Sequence, residues 1–403
     1  MFEHGIPAAV RQGAINRTAT HQVRHKSFVK RIRVLQVGKY YYPFRGGMES
    51  SLYTLVNSLK DEVDFQVLVS NTKVVTEIGF VDGVKVIRMA RWGSFFSQPL
   101  NPGLFFWLKT LKADIIHLHL PNPLAALFYL LANPCSRLIV SYHSDILRQN
   151  IFRLLYQPFL NRLLSRAEAI VATSQNLLDS SLLLGRFRAK CWIIPHGIDL
   201  DRFKITPELE RRAGEIKARI NLPIVLFVGR LVYYKGLEYL IRAMKDMEAR
   251  LVVVGKGPLG FSLRALSRIL GVKDKISWPG EVPDEELKAY YLASEMLVLP
   301  SCQNSEAFGL VILEAQAFAR PVISARLPTG VSFINRHQET GLVVPARDAG
   351  ALREAIRTLL DSKELRSEYG WNGRKRVEQE FTSRIMAGKF LTLYQAISNQ
   401  TVL

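Results

Sequence analysis

The segment MLVLPSCQNSEAFGLVILEAQAFARPVISA (residues 296–325) holds two short, apolar, β-prone runs, MLVLPS and RPVISA, on either side of a stretch of helical character. Gly309 stands where that helix would begin, so the segment reads as strand, loop, helix and strand, one unit of a parallel sheet. Glu306 falls in the loop and Glu314 more than a turn inside the helix, in surroundings otherwise apolar or small. Carboxylates so placed need hydrogen-bond donors, from the protein or from a ligand. A carboxylate that accepts from two vicinal hydroxyls suits a ribose or another sugar, and the free amides at the start of the helix suit an anion.

The same alternation runs through the chain. IRVLQVG, FQVLVS, DIIHLH, RLIVSYH, AIVATS and CWIIPHG read as strands of one sheet, and PIVLFVGR, RLVVVGKG, KISWPG, MLVLPS, RPVISA and TGLVVP as strands of a second. The fold class predicted is α/β, with two doubly wound, Rossmann-like domains at residues 31–200 and 201–380, joined near Asp199 to Leu222. Open parallel sheets bind ligands beyond the carboxyl ends of their strands, so two such domains facing each other make a cleft. Residues 381–403 read as a C-terminal helix that packs back on the first domain. Residues 1–30 read as a disordered basic tail, in which only Glu3 offsets Arg11, Arg17, Arg24, Lys26 and Lys30.

With 403 residues, 48% of them hydrophobic, the chain can bury more than one core. Its net charge of +19 is uneven, residues 1–200 carrying 24 Lys and Arg against 12 Asp and Glu and the remainder 30 against 23. Such an excess favours an anionic partner, a nucleic acid or an anionic membrane surface. Cys135, Cys191 and Cys302 are odd in number and lack a CxxC, which argues against a disulfide framework or a structural zinc and for a reducing cytoplasm. No run approaches the roughly 18 apolar residues of a membrane span, and LAALFYLLA (residues 124–132) reads as a buried helix. Between residues 144 and 169, Arg148, Arg153, Arg162 and Arg166 sit among Leu, Ile and Phe. That pattern suits a basic amphipathic segment at an anionic membrane surface and favours the membrane over nucleic acid as partner.

Several motifs fall at predicted strand ends. GRLVYYKG supplies Arg230 and Lys235, two cations suited to a diphosphate. VVVGKGPLG places Gly255, Gly257 and Gly260 in a GxGxxG spacing, but Pro258 intrudes and no acid ends the next strand, so a tight turn near a nucleotide is favoured over a dehydrogenase site. Gly46 and Gly47 precede a helix, where their amides can meet a phosphate or an acceptor. His143 ends the strand RLIVSYH and is better placed for the cleft than His117 or His119, which read as core histidines. Asp199 and Asp201 form a DxD at the domain junction, where capping of the linker is favoured over metal binding. No metal is therefore expected, the charge facing phosphate coming from Arg230 and Lys235.

Taken together, the E-x7-E element from Glu306 to Glu314, with GRL..KG, VGKGP, HGID..RF and ETGLVVPARDAGAL, resembles the retaining glycosyltransferase family 4 of the two-domain GT-B fold, over nearly everything after residue 31. The resemblance implies a nucleotide-sugar donor as substrate and no cofactor. It puts Arg230 and Lys235 on the donor diphosphate, Glu314 on the nucleotide ribose, and Glu306 on the hydroxyls of the transferred sugar. The backbone at Phe308, Gly309 and Leu310 would cradle phosphate, Gly255 would lie beside the donor, His143 near its sugar, and the Gly46–Gly47 turn would help close the site. Glu306 and His143 are the catalytic candidates, and sugar hydroxyls become the donors that satisfy both carboxylates. Retention could come from a Glu306 nucleophile or from same-face attack, family precedent favouring the second. RLPTGVSFINRHQETGLVVPARD and YYPFRGGMES look most like enzymes that build bacterial surface polysaccharides such as O antigen. That likeness implies a GDP-mannose-type donor, with UDP-N-acetylhexosamines second, a lipid-linked saccharide acceptor, and a place at the cytoplasmic face of the plasma membrane. A sugar-nucleotide epimerase of the same fold is the competing enzyme.

Overall fold

A computed structural model describes residues 31–44, 46–95, 98–144 and 150–399, so the tail predicted for residues 1–30 lies outside the described residues. Two parallel sheets follow each other along the chain. The first has eight strands in the order Cys191–Ile193, Ala169–Ala172, Arg137–Tyr142, Ile115–Leu120, Arg33–Val37, Asp64–Ser70, Val84–Met89 and Glu77–Val81. The second has six, in the order Ile276–Gly280, Arg250–Val254, Ile224–Val228, Met296–Leu299, Val322–Ala325 and Gly341–Val344. Central strands such as Ile224–Val228 and Ile115–Leu120 are buried along their whole length, as strands covered by helices on both faces must be.

Strand order reverses between Arg33–Val37 and Ile115–Leu120 in the first sheet, and between Ile224–Val228 and Met296–Leu299 in the second. These two switch points are where adjacent crossovers leave in opposite directions and open a crevice. The segments that follow the four strands are Gly38–Gly47, the stretch after Leu120, Gly229–Lys235 and Pro300–Glu306, which hold most of the motifs singled out above.

Two antiparallel pairings escaped the sequence reading, the short one of Ser94–Phe95 with Gln98–Pro99 and a longer one at the edge of the first sheet. Glu77–Val81 pairs antiparallel with Val84–Met89 at the sheet edge, alternating half-buried and exposed residues and leaving Ile78 and Phe80 in solvent. Asp82 and Gly83, both at positive φ (49° and 85°), form the two-residue turn that an Asp-Gly pair specifies.

The C-terminal helix, Ser383–Asn399, lies on the first sheet. Met386, Phe390, Leu393, Tyr394 and Ile397, spaced three or four apart, are buried against Val34, Phe65 and Ile115. Its entry runs beside the earlier crossing: Ile198 and Thr382 form a bridge, and a Cβ on Gly197 would be driven into the carbonyl of Thr382. The helix Pro123–Ala132 buries one face through Ala125, Ala126 and Tyr129 and exposes Leu131, so the run LAALFYLLA is half covered and not enclosed.

Candidate active site

Lys235 and Glu306 meet at the second switch point. Lys235 ends a single 3-10 turn, Tyr233–Lys235, that is tied to the neighbouring loop by the Cys302 N–H donating to the Tyr234 carbonyl at 2.8 Å. Gly236 follows at φ 65°, with its Cα against the Pro300 carbonyl, where no Cβ would fit. The Lys235 side chain runs back over Gly229 and places Nζ 2.6 Å from Glu306 Oε2. The Ser301 hydroxyl donates to the same oxygen at 2.8 Å. Glu314 sits deeper, in the helix Leu310–Ala317, and accepts from the Tyr291 hydroxyl at 2.7 Å. Burial pushes the Glu314 carboxyl above its usual range, with the Tyr291 hydrogen bond opposing the rise. Both carboxylates thus have protein donors, which corrects the expectation that sugar hydroxyls supply them. A ligand hydroxyl would add to these bonds or displace them.

Arg230 is exposed and has no carboxylate partner among the described residues. Lys39, half-buried at the first switch point, has its ammonium weakened chiefly by burial, with Glu49 opposing that shift and Arg230 adding a smaller push in the same direction as burial. Gly309 caps its helix at φ 82°, and the N–H groups of Phe308, Gly309 and Leu310 find no acceptor among the described residues. An exposed guanidinium and helix-start amides that find no acceptor among the described residues together suit an anion. The Phe308 ring itself is buried, edge-on to His196 at 4.8 Å.

Gly255 has an internal reason for being glycine. At φ 132° its Cβ would be driven into the Gly229 carbonyl, so it permits the close approach of two strand-end loops, and Gly257 does the same against Leu231. At the first switch point, Glu49 in the first turn of the helix Gly47–Leu59 lies over Gly46, where a Cβ would meet its carboxylate, whereas Gly47 faces open space. Asp199 accepts the Asp201 N–H at 3.1 Å and Asp201 pairs with Lys204 at 2.7 Å, the capping arrangement favoured for that pair. Among the described residues no group of three His, Cys, Asp or Glu side chains is placed to hold a metal ion.

His143 is buried at the end of its strand within a column of rings. His119 stacks on one side of it at 5.4 Å and His196 on the other at 5.2 Å, and His117 lies 4.5 Å beyond His119. Burial holds all four imidazoles neutral, lowering His143 to about 4 and His117 to about 3. His119 and His196 also fall well below the usual range, burial and the neighbouring histidines acting together. Sequence reading took His117 and His119 as core histidines and missed His196, Tyr291, Ser301 and Lys39. The HxH alternation in IIHLHL, which puts both imidazoles on one face of a strand, was the available signal for the column.

Surface hollows of about 970 Å³ around Trp371 and about 960 Å³ around Cys135 lie at the amino ends of the strands, away from both switch points.

Residues 45–202 match the family described as Glycosyltransferase Family 4, and residues 212–376 the one described as Glycosyl transferases group 1. The chain is 34% identical over 375 residues to the O-antigen chain mannosyltransferase C of Escherichia coli, covering 91% of this chain and 99% of that protein. It is 36% identical over 272 residues to the D-rhamnosyltransferase WbpZ of Pseudomonas aeruginosa, covering 68% of this chain and 71% of that one. Among solved structures it superposes on sucrose-phosphate synthase from Thermosynechococcus elongatus with a TM-score of 0.77 at 23% identity, covering 92% of this chain and all of the other. Anabaena HepE in complex with UDP gives 0.74 at 18% identity, over 91% of this chain and all of that one. The two facing sheets are those of the GT-B fold, and the chain belongs to glycosyltransferase family 4 as a hexosyltransferase.

Proposed function

We propose that this protein is a retaining glycosyltransferase that moves a sugar, mannose from GDP-mannose or a closely related GDP sugar, to a lipid-linked saccharide during assembly of a bacterial surface polysaccharide. The observation that carries the reading is the nearly full-length similarity to an O-antigen chain mannosyltransferase. The bond from the anomeric carbon to the diphosphate breaks, and the acceptor oxygen bonds to that carbon on the same face. The acceptor proton passes to the departing phosphate oxygen. Stabilising the diphosphate as its charge develops is the largest task, and Arg230, Lys235 and the amides at Phe308, Gly309 and Leu310 are the groups suited to it. Glu306 is already engaged by Lys235 and Ser301, which favours a role in holding the sugar over that of a nucleophile. Glu314 takes the ribose, beside Tyr291. His143 takes a hydroxyl of the transferred sugar.

With cations supplied by side chains, transfer needs no metal, and activity is expected to persist in EDTA. Abolition by the chelator with recovery on adding magnesium or manganese would overturn that part. The donor is tested by thermal shift with GDP, UDP, ADP and dTDP sugars, since a ligand at 100 times its Kd stabilises by about 2.7 kcal/mol. A shift with UDP-N-acetylhexosamine and none with GDP sugars would replace the donor named here, and interconversion of free donor without an acceptor would make the protein an epimerase.

Attachment to an anionic membrane surface is part of the same proposal. Among the described residues no helix is long and apolar enough to cross a membrane. In the helix Asn150–Arg166, Leu160, Leu163 and Leu164 belong to the core of the first domain, so these leucines are not offered to lipid, while Phe159, Arg162 and Arg166 are exposed. Arg148 and the Arg153 side chain lie outside the described residues.

A further inference from the structure

The ring column belongs to a chain of hydrogen bonds that starts on the C-terminal helix and ends at His143. The Tyr394 hydroxyl lies 2.9 Å from Gln36 Nε2 and 2.8 Å from His117 Nδ1. Gln36 Oε1 lies 2.8 Å from His119 Nε2, and His119 Nδ1 lies 3.1 Å from His143 Nε2. His117 Nε2 closes the other branch on Ser141 Oγ at 2.8 Å. Every member is buried, and His143 Nδ1 is a buried nitrogen with no partner among the described residues.

A neutral imidazole has one N–H and one bare nitrogen, so each bond in the chain constrains the next. The Gln36 amide nitrogen donates to Tyr394, and the phenol spends its single proton on His117 Nδ1. The Gln36 carbonyl can only accept, so His119 carries its proton on Nε2 and has a bare Nδ1. That nitrogen can only accept, so His143 carries its proton on Nε2. Its Nδ1 is then a bare lone pair. Turning the Gln36 amide over would reverse every bond and end in a buried, unpaired N–H, the rarer kind of orphan.

We propose that Gln36, His119 and Tyr394 are positioning residues that set the tautomer of His143, so that Nδ1 presents a hydrogen-bond acceptor to a hydroxyl of the transferred sugar. The inference rests on the reading above that His143 meets the donor sugar. It gives the C-terminal helix a part in the site, through a side chain buried on the far side of the column from the cleft. It also explains why Gln36 and His119 stand buried among the apolar residues of the first sheet: buried hydrogen-bonded chains fix one arrangement where apolar packing would leave a ring free to choose.

The tautomer can be read directly in the full-length protein carrying 15N-labelled histidine, because protonated and bare ring nitrogens resonate far apart. His143 is identified by the signals lost in His143→Leu. The expected wild-type result at neutral pH is a proton on Nε2 and a bare Nδ1, which takes a hydrogen bond when a nucleotide sugar binds. His119→Phe keeps a ring in the column without its nitrogens, and Gln36→Leu removes the amide. Both should release His143 into mixed tautomers and lower turnover by about ten-fold, the size of one lost hydrogen bond, with affinity for the free nucleoside diphosphate unchanged. His119→Asn, whose amide can again accept from His143, should recover part of the turnover. A wild-type proton on Nδ1, or an unaltered tautomer in both variants, overturns the proposal. Failure of the underlying reading looks different: wild-type turnover in His143→Leu would remove His143 from the donor, whichever nitrogen carries the proton.

Discussion

Lys235 Nζ and Glu306 Oε2 are 2.6 Å apart, with side chains only 11% and 9% exposed, so one of the two cations assigned to the donor is already compensated before a ligand arrives. Arg230 is not. The two should therefore respond differently to removal. Lys235→Ala strands a buried carboxylate on Ser301 alone, and breaking a buried pair from one side costs about 3 kcal/mol of stability. Arg230→Ala should leave stability near wild type and weaken the free nucleoside diphosphate by roughly 1.5 to 3 kcal/mol, the value of a charge-assisted contact. Urea denaturation and calorimetric titration separate the two effects. Equal stability losses, or unchanged nucleotide affinity in both variants, would move the phosphate site elsewhere.

Glu306→Gln keeps the shape of the side chain and frees Lys235 from its counter-charge. Transfer should nearly vanish, while affinity for the nucleoside diphosphate should hold or rise, because the released ammonium can turn to phosphate. Wild-type turnover, or a fall in nucleotide affinity, would place Glu306 elsewhere in the reaction.

The four buried imidazoles make the fold acid-sensitive. His143 titrates near 6.5 when unfolded and about 4 when folded, so as pH falls through that window the unfolded chain takes up the proton first. Stability is fully present above the unfolded value and is lost as pH drops toward the folded one, at about 1.4 kcal/mol per pH unit for one such group. The urea midpoint should decline steadily from about pH 7 to about pH 5. A midpoint flat across that range would mean the histidines are not held neutral.

Membrane attachment is tested by flotation with anionic and neutral vesicles. Each basic residue near an anionic surface contributes about 1 kcal/mol, screened within a Debye length. Replacing Arg148, Arg153, Arg162 and Arg166 with Gln should weaken binding by up to about 4 kcal/mol on that scale, and wild-type binding should fall as salt rises. Equal binding to both vesicle types, or none to either, would leave the charge without this role.

Gly255→Ala bears on how the site is built. Its Cβ has no room against the Gly229 carbonyl and its φ of 132° disfavours any side chain, so the variant should lose several kcal/mol, roughly the cost of strain and overpacking combined. A near-neutral change in the denaturation midpoint would show that the two loops can part.

Strands, crossovers and loop motifs were legible because they depend on neighbours in the chain. Apolar runs of four to six residues, Gly309 at the start of a helix, and the three- and four-residue spacing of Met386, Phe390, Leu393, Tyr394 and Ile397 each announce local structure through a period or a single backbone requirement. The Asp82-Gly83 turn was equally local and was simply passed over. Motif spacing likewise brought Arg230, Lys235 and Glu306 to strand ends and Glu314 into the helix that follows one of them, and the parallel order of the sheets brought those ends to the same side.

Which groups meet there depended on contacts between residues far apart in the chain. Lys235 pairs with Glu306 because Gly236 lets one loop lie against Pro300 of the next, and Glu314 is held by Tyr291 from a preceding helix. His119 and His143 touch through adjacent strands, and Tyr394 reaches Gln36 only after the last helix has recrossed to the first sheet. Periodicity carries which face of an element is buried, but a partner's distance is set by how strands are ordered and where crossovers land. A histidine's tautomer is settled later still, by the last hydrogen bond to close around it.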